Sequence, residues 1–174
     1  MGQHTAFVKG GCAQGRAKLD GRTGRGHAWS MSLPLIVALA IIAFAAAFHL
    51  HWALGGRLGY SVSLPQRPDG TPVMVHRIGW WRPGAGAVVI ALLLLAALAL
   101  TAEGWLALRF PPAFINVALA LAGAAFILRA LVPTPWTGFF KRIRTTRWAR
   151  YDSWLYSPLF LLLGAALVAI ALGD

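Results

Sequence analysis

His49, His51, Thr101, Glu103, Asn116 and Arg129 interrupt otherwise apolar stretches of this sequence. Polar and ionisable groups in such a setting are costly unless partnered, so each is a candidate for proton, ion or ligand chemistry. A buried Glu103 has the residue type for a proton or cation site of a small transporter, or for a carboxylate hydrogen-bonded to a neighbouring helix. His49 and His51 invite haem or metal ligation. Two residues apart on a helix, however, they point about 200° from one another and cannot bind one centre together. The remaining histidines, His4, His27 and His76, lie outside the apolar stretches. A bis-histidine haem within one chain therefore lacks its second ligand, and no Cys/His cluster has zinc spacing. No nucleophile–base–acid set is recognisable either, so no cofactor is expected and the reading leans away from an enzyme.

A second group of candidates is cationic. Lys141, Arg142, Arg144, Arg147 and Arg150 fall within a short run that also carries Phe139, Phe140, Trp148 and Tyr151. On a helix, Lys141, Arg144, Arg147 and Arg150 would form a slanting basic stripe. The aromatics make no clean opposite face, because Arg147 falls among Phe140, Tyr151 and Trp154. An interfacial segment with snorkelling arginines is expected, able to hold anionic lipid headgroups or a phosphate-bearing substrate.

The elements that position these groups follow from composition. Of 174 residues, 58% are hydrophobic and 12% charged; an ordinary soluble domain has roughly 45–50% and about 25%. So few charges cannot cover a water-soluble surface, and a single cysteine, Cys12, excludes a disulfide scaffold. Four apolar stretches reach the roughly 20 residues needed to cross a bilayer, at about 33–54, 84–108, 112–132 and 157–173. The expected fold is an all-α integral membrane bundle of four transmembrane helices with short loops, the second and third joined only by Arg109, Phe110 and Pro111. Pro112 suits the first turn of the third helix, and Ala118, Ala122 and Gly164 permit close packing, between subunits as well as within one.

Such a bundle fixes relative depths. His49 and Arg129 come late in spans one and three and approach the same membrane face. Glu103, late in span two, is separated vertically from Arg129 by about 15 Å, so it is expected to meet Asn116 or Arg109 instead. Residues 1–30 are polar, basic and glycine-rich, and are expected to be a disordered tail, with Met31 an alternative start of the domain at 31–174. Ala43-Phe44-Ala45 also permits a signal-peptide reading, which the apolar run continuing to Leu54 disfavours.

The net charge of +11 arises from cations placed between apolar blocks. That placement fits lipid contact and topology, not nucleic-acid binding. Loop one (55–83) and loop three (133–156) share nine cations, namely Arg57, Arg67, Arg77, Arg82, Lys141, Arg142, Arg144, Arg147 and Arg150. The positive-inside rule places these loops in the cytoplasm and both termini outside. Trp52, Trp80, Trp81, Trp105, Trp136, Trp148 and Trp154 flank the spans and are expected to anchor at the interface.

The stretch His49-Leu50-His51-Trp52-Ala53-Leu54-Gly55-Gly56 and the run from Gly138-Phe139-Phe140-Lys141 to Tyr156-Ser157-Pro158-Leu159 resemble a bacterial family of small four-span membrane proteins, domain of unknown function 3995. The resemblance covers approximately residues 33–172. His49, Trp52, Arg129, Lys141, Tyr156 and Pro158 fall on its pattern. Family members often carry a Tyr where this chain has His51. The resemblance also implies an acid shortly after Arg129, where this chain has Pro133, so an Arg–acid pair there is not carried over. It implies the four-span fold and no activity.

Three functions are therefore expected as alternatives. The first is a noncatalytic protein of the bacterial inner membrane that contacts lipid, a second copy or another membrane protein through His49, Arg129 and the loop-three cations. The second is a proton-coupled transporter using Glu103. The third is a membrane redox or lipid-modifying enzyme using His49 or His51.

Overall fold

The computed structural model describes residues 30–73 and 81–173. The tail before Ser30, together with His76, Arg77 and Trp80, lies outside the described residues. The chain divides into two units, Met1–Ser30 and Met31–Asp174, and all the described helices belong to the second.

Ser32 starts the first helix, α1 (Leu33–Ala53), by accepting the Leu35 N–H on its hydroxyl at 3.2 Å, with a proline in the first turn. A connection whose described residues include a 3₁₀ turn (Tyr60–Val62) leads to α2 (Trp81–Ala102). α3 (Pro112–Leu131) follows, also opened by proline. The last helical stretch is composite: α4 (Arg147–Tyr151), a π-turn (Asp152–Tyr156) and α5 (Ser157–Leu172). Among the described residues four helices are long and apolar enough to cross a membrane: Leu33–Ala53, Trp81–Ala102, Pro112–Leu131 and the 26-residue Arg147–Leu172. Among the described residues there is no strand, only one isolated bridge between Gln66 and Pro72.

α1 packs on α2 and α5, α3 packs most closely on α5, and a lighter α2–α3 contact closes the ring. Leu35, Ala38 and Ile42 of α1 meet Leu92 and Ala99 of α2, Ile115 and Leu119 of α3, and Leu163, Leu167 and Ile170 of α5 in one core. Outside it, Ile36, Ile90, Leu93, Leu94, Leu121 and Leu162 are exposed. A bundle that buries so little of its apolar surface needs a hydrocarbon surround, and the helices satisfy their own backbone groups as that surround requires. The protein is thus a multi-pass membrane protein by length and composition.

Two expected boundaries move. α2 ends at Ala102 instead of running to Leu108, because Gly104 takes the left-handed conformation (φ +80°). The α2–α3 connection is therefore residues 103–111, not the three-residue link expected. At the other end, the fourth helix starts at Arg147 instead of Ser157, since Thr146 caps it by accepting the Ala149 N–H at 3.1 Å.

The closest approach is between α3 and α5. A Cβ added at Gly123 would lie 2.7 Å from the Gly164 carbonyl oxygen, and one at Gly164 would lie 2.6 Å from that of Gly123. The two backbones touch at this reciprocal pair, as small residues allow in membrane bundles.

Candidate functional site

Arg129 sits two residues before the last residue of α3 and reaches across to the composite helix. Its Nη2 donates to Asp152 Oδ1 at 2.7 Å and its Nη1 to Ser157 Oγ at 3.4 Å. Its guanidinium lies over Phe160, 4.4 Å from the ring centroid. The other carboxylate oxygen of Asp152 accepts from Lys141 Nζ at 3.1 Å and from the Gly138 N–H at 2.8 Å. Lys141 Nζ also donates to the Gly138 carbonyl at 3.0 Å and to Ser153 Oγ at 2.6 Å. All three ammonium protons are thereby placed. Asp152 is fully buried and Lys141 is 2% exposed, so two cations converge on one carboxylate in a largely dry site.

This arrangement corrects two expectations. The acid partner of Arg129 does exist, but it comes from 23 residues downstream instead of the next turn of chain. Lys141 does not belong to an exposed anion-binding stripe; the irregular backbone of residues 132–146 folds it inward onto Asp152. Gly138 makes the fold-back possible. Its φ is +86°, and a Cβ there would sit 2.9 Å from the Ala130 carbonyl oxygen. One signal for Asp152 was present in the sequence, since it is the single acid between Glu103 and Asp174 amid a run of cations.

Arg142, Arg144, Arg147 and Arg150 remain exposed. Arg147 and Arg150, with Tyr151 and Trp154, line an open concavity on the outside of the composite helix. Trp154 is 87% exposed and Tyr151 46%. Trp148, expected among the interface anchors, is instead buried. Its indole N–H donates to the Trp136 carbonyl at 2.8 Å, and its ring lies 5.3 Å from that of Tyr156. The Trp148 backbone N–H donates to Gln66 Oε1 at 3.2 Å and the Tyr156 hydroxyl to the Val62 carbonyl at 3.2 Å. Loops one and three thus dock together at one end of the bundle.

At that same end α1 and α2 frame a second concavity, lined by His49, Trp52, Tyr60, Ser63, Leu64, Trp81, Gly84, Ala85 and Val88. The His49 Nδ1–H donates to the Ala45 carbonyl one turn earlier at 2.8 Å, and its ring meets Trp52 edge-on at 4.9 Å between centroids. Trp52 is tied to the loop by its indole N–H, which donates to the Leu58 carbonyl at 2.7 Å. Tyr60 bridges Trp52 and Trp81, at 6.2 and 5.1 Å. His51 is exposed on the other side, and its Nε2 accepts the Leu58 N–H at 3.3 Å. A Cβ at Gly56 would lie 2.1 Å from that nitrogen. The structure separates the two histidines as the helical geometry requires.

Glu103 lies at the opposite end, where its carboxylate accepts from the Ser32 hydroxyl and, at 3.4 Å, from the Ser32 N–H. It therefore meets the start of α1, not Asn116 or Arg109 as expected, because α2 ends early and turns its last residues toward its antiparallel neighbour. Asn116 and Arg109 are both exposed. Thr101 donates to the Ala97 carbonyl of its own helix at 2.7 Å. Trp105 and Trp136 are 37% and 36% exposed. Among the described residues no group of three or more His, Cys, Asp or Glu could hold a metal.

No curated protein and no solved structure matches the chain. A family match does span residues 39–167, and this stretch contains the His49 cleft, the buried Arg129–Asp152–Lys141 cluster and the arginine-lined concavity. With nearly three quarters of its length matched, the chain belongs to the family described as "Protein of unknown function (DUF3995)".

Proposed function

We propose that the protein is a noncatalytic multi-pass protein of the bacterial inner membrane that gathers anionic lipid headgroups on the outer surface of its composite helix. The observation that carries this reading is the concavity lined by Arg147, Arg150, Tyr151 and Trp154. Two guanidinium forks suit phosphate oxygens. An exposed Trp and Tyr beside them suit the headgroup level of a bilayer, where amphipathic rings partition. Arg142 and Arg144 add charge close by.

The positive-inside rule orients loops 55–83 and 133–156 to the cytoplasm and both termini outside. That side carries the strongest anionic lipid field. The docking of loop one onto loop three supports placing them on one side. Lys141 and Asp152 support the reading in another way, as they brace the backbone that presents the arginines.

Native mass spectrometry of the full chain released from mixed vesicles of phosphatidylethanolamine and phosphatidylglycerol tests it. Each surface cation contributes about 1 kcal/mol to anionic lipid. The double variant Arg147→Gln/Arg150→Gln should therefore lower phosphatidylglycerol retention by roughly 30-fold, about 2 kcal/mol. Retention in the double variant equal to that of the unaltered protein would remove these arginines from the function.

A further inference from the structure

We propose that the cleft between α1 and α2 binds the ring head of a quinol-type lipid, meaning a neutral six-membered ring bearing a hydroxyl donor, on an apolar tail that lies in the bilayer. This site is separate from the arginine-lined surface.

Its one ring-nitrogen acceptor is defined by a hydrogen bond elsewhere. A carbonyl oxygen only accepts, so the His49–Ala45 contact places the imidazole proton on Nδ1. Nε2 is then the lone-pair nitrogen, and among the described residues no donor occupies it. His49 is four residues before the last residue of α1, about 6 Å inside the helix end. At that depth a lipid's polar head gives way to its chain.

Size and wall chemistry narrow the occupant. The cleft holds about 220 Å³. Roughly 150 Å³ suffices for benzene, whereas whole drug-sized ligands occupy about 300–1,000 Å³. A single substituted ring fits, with its tail outside. Trp52, Tyr60 and Trp81 offer ring edges and faces for stacking. Gly84 leaves the α2 wall low, since among the described residues nothing lies within 4 Å of a Cβ built there. Among the described residues no Lys, Arg, Asp or Glu lines the cleft, so a phosphate head would enter without a counter-charge. A neutral hydroxyl satisfies Nε2 and requires none. The oxidised ring, a quinone, carries only acceptors and would set its oxygen against the Nε2 lone pair.

The test uses the full chain in phosphatidylcholine nanodiscs. A short-tailed benzoquinol, kept reduced, and the matching benzoquinone are titrated calorimetrically. The quinol should bind about tenfold more tightly than the quinone. His49→Phe, which keeps a ring and removes the acceptor, should bring the two affinities within twofold. Gly84→Leu builds into open space and should weaken both at least tenfold while leaving thermal unfolding unchanged. Arg147→Gln/Arg150→Gln should change neither, which separates failure here from failure of the headgroup reading. Equal affinities in the unaltered protein would overturn the proposal, as would a preference that survives His49→Phe. Displacement of the quinol by phosphatidylglycerol would overturn the neutral-head assignment. Should His49→Phe fail to fold, the quinol-to-quinone ratio and the Gly84→Leu loss decide it between them.

Discussion

Asp152 ties three groups together at one end of the bundle, as the shared acceptor for Arg129, Lys141 and the Gly138 N–H. Removing its charge leaves Lys141 as a buried ammonium with no counter-ion, a loss that typically costs about 3–5 kcal/mol. Asp152→Asn should therefore lower thermal stability in detergent, followed by circular dichroism, by that order. Lys141→Met/Asp152→Leu should recover most of it, since Arg129 is partly exposed and can turn its guanidinium toward water. A double variant as unstable as Asp152→Asn would mean that the pair sets the backbone path and not merely its own charge balance. In loop one, the Thr71 hydroxyl and then the Thr71 N–H hold the exposed Asp69 carboxylate below its usual pKa, helped by Arg67. A depressed carboxylate favours the folded turn above the ordinary carboxylate range and loses that effect as pH falls through the lowered value. Carbon-detected NMR titration should therefore place Asp69 below free aspartate, and Thr71→Val should move it back up.

The helices differ in what decides their packing. α3 and α5 meet backbone to backbone at Gly123 and Gly164, so this crossing has no slack for a side chain. Gly164→Val would place carbon atoms inside contact distance of the Gly123 carbonyl and force the helices apart. Overpacking of this kind costs about 1–3 kcal/mol or more. Lower stability and faster proteolysis near residue 138 are expected, because the turn held by Ala130 and Asp152 depends on the same crossing. Gly164→Ala should fall between the two. The composite helix shows a different principle. Its π-turn at Asp152–Tyr156 inserts an extra residue per turn, a feature often found at functional sites. There it lets Asp152 and Ser153 face Lys141 while Tyr156 reaches loop one.

For the whole molecule, the decisive question is which end faces which compartment. Loops one and three meet each other, and the α2–α3 connection lies at the other end with Glu103 and Ser32. In a Cys12→Ser background, Thr145→Cys should be protected from a membrane-impermeant maleimide added to intact spheroplasts, and Ala107→Cys should react. The reverse pattern would invert the proposed orientation and move the arginine surface away from the cytoplasmic leaflet. Both positions are exposed, so reactivity reports on the compartment and not on burial.

The sequence by itself determined the number of spans, their approximate positions and the sharing of one end by His49 and Arg129. These follow from bilayer thickness and helical rise, which act on each apolar run alone. It also determined that His49 and His51 cannot act on one centre. Only the tertiary structure decided the partners. Asp152 met Arg129 across 23 residues of chain and Ser32 met Glu103 across 71, distances that no local period encodes. Lys141 and Trp148 read as surface residues because cations and tryptophans beside apolar spans usually are. A left-handed Gly138 and the docking of Gln66 turned both inward. The cleft was invisible for the same reason: its walls come from α1, the 3₁₀ turn with the residues after it, and α2, and only packing brings them together beside His49.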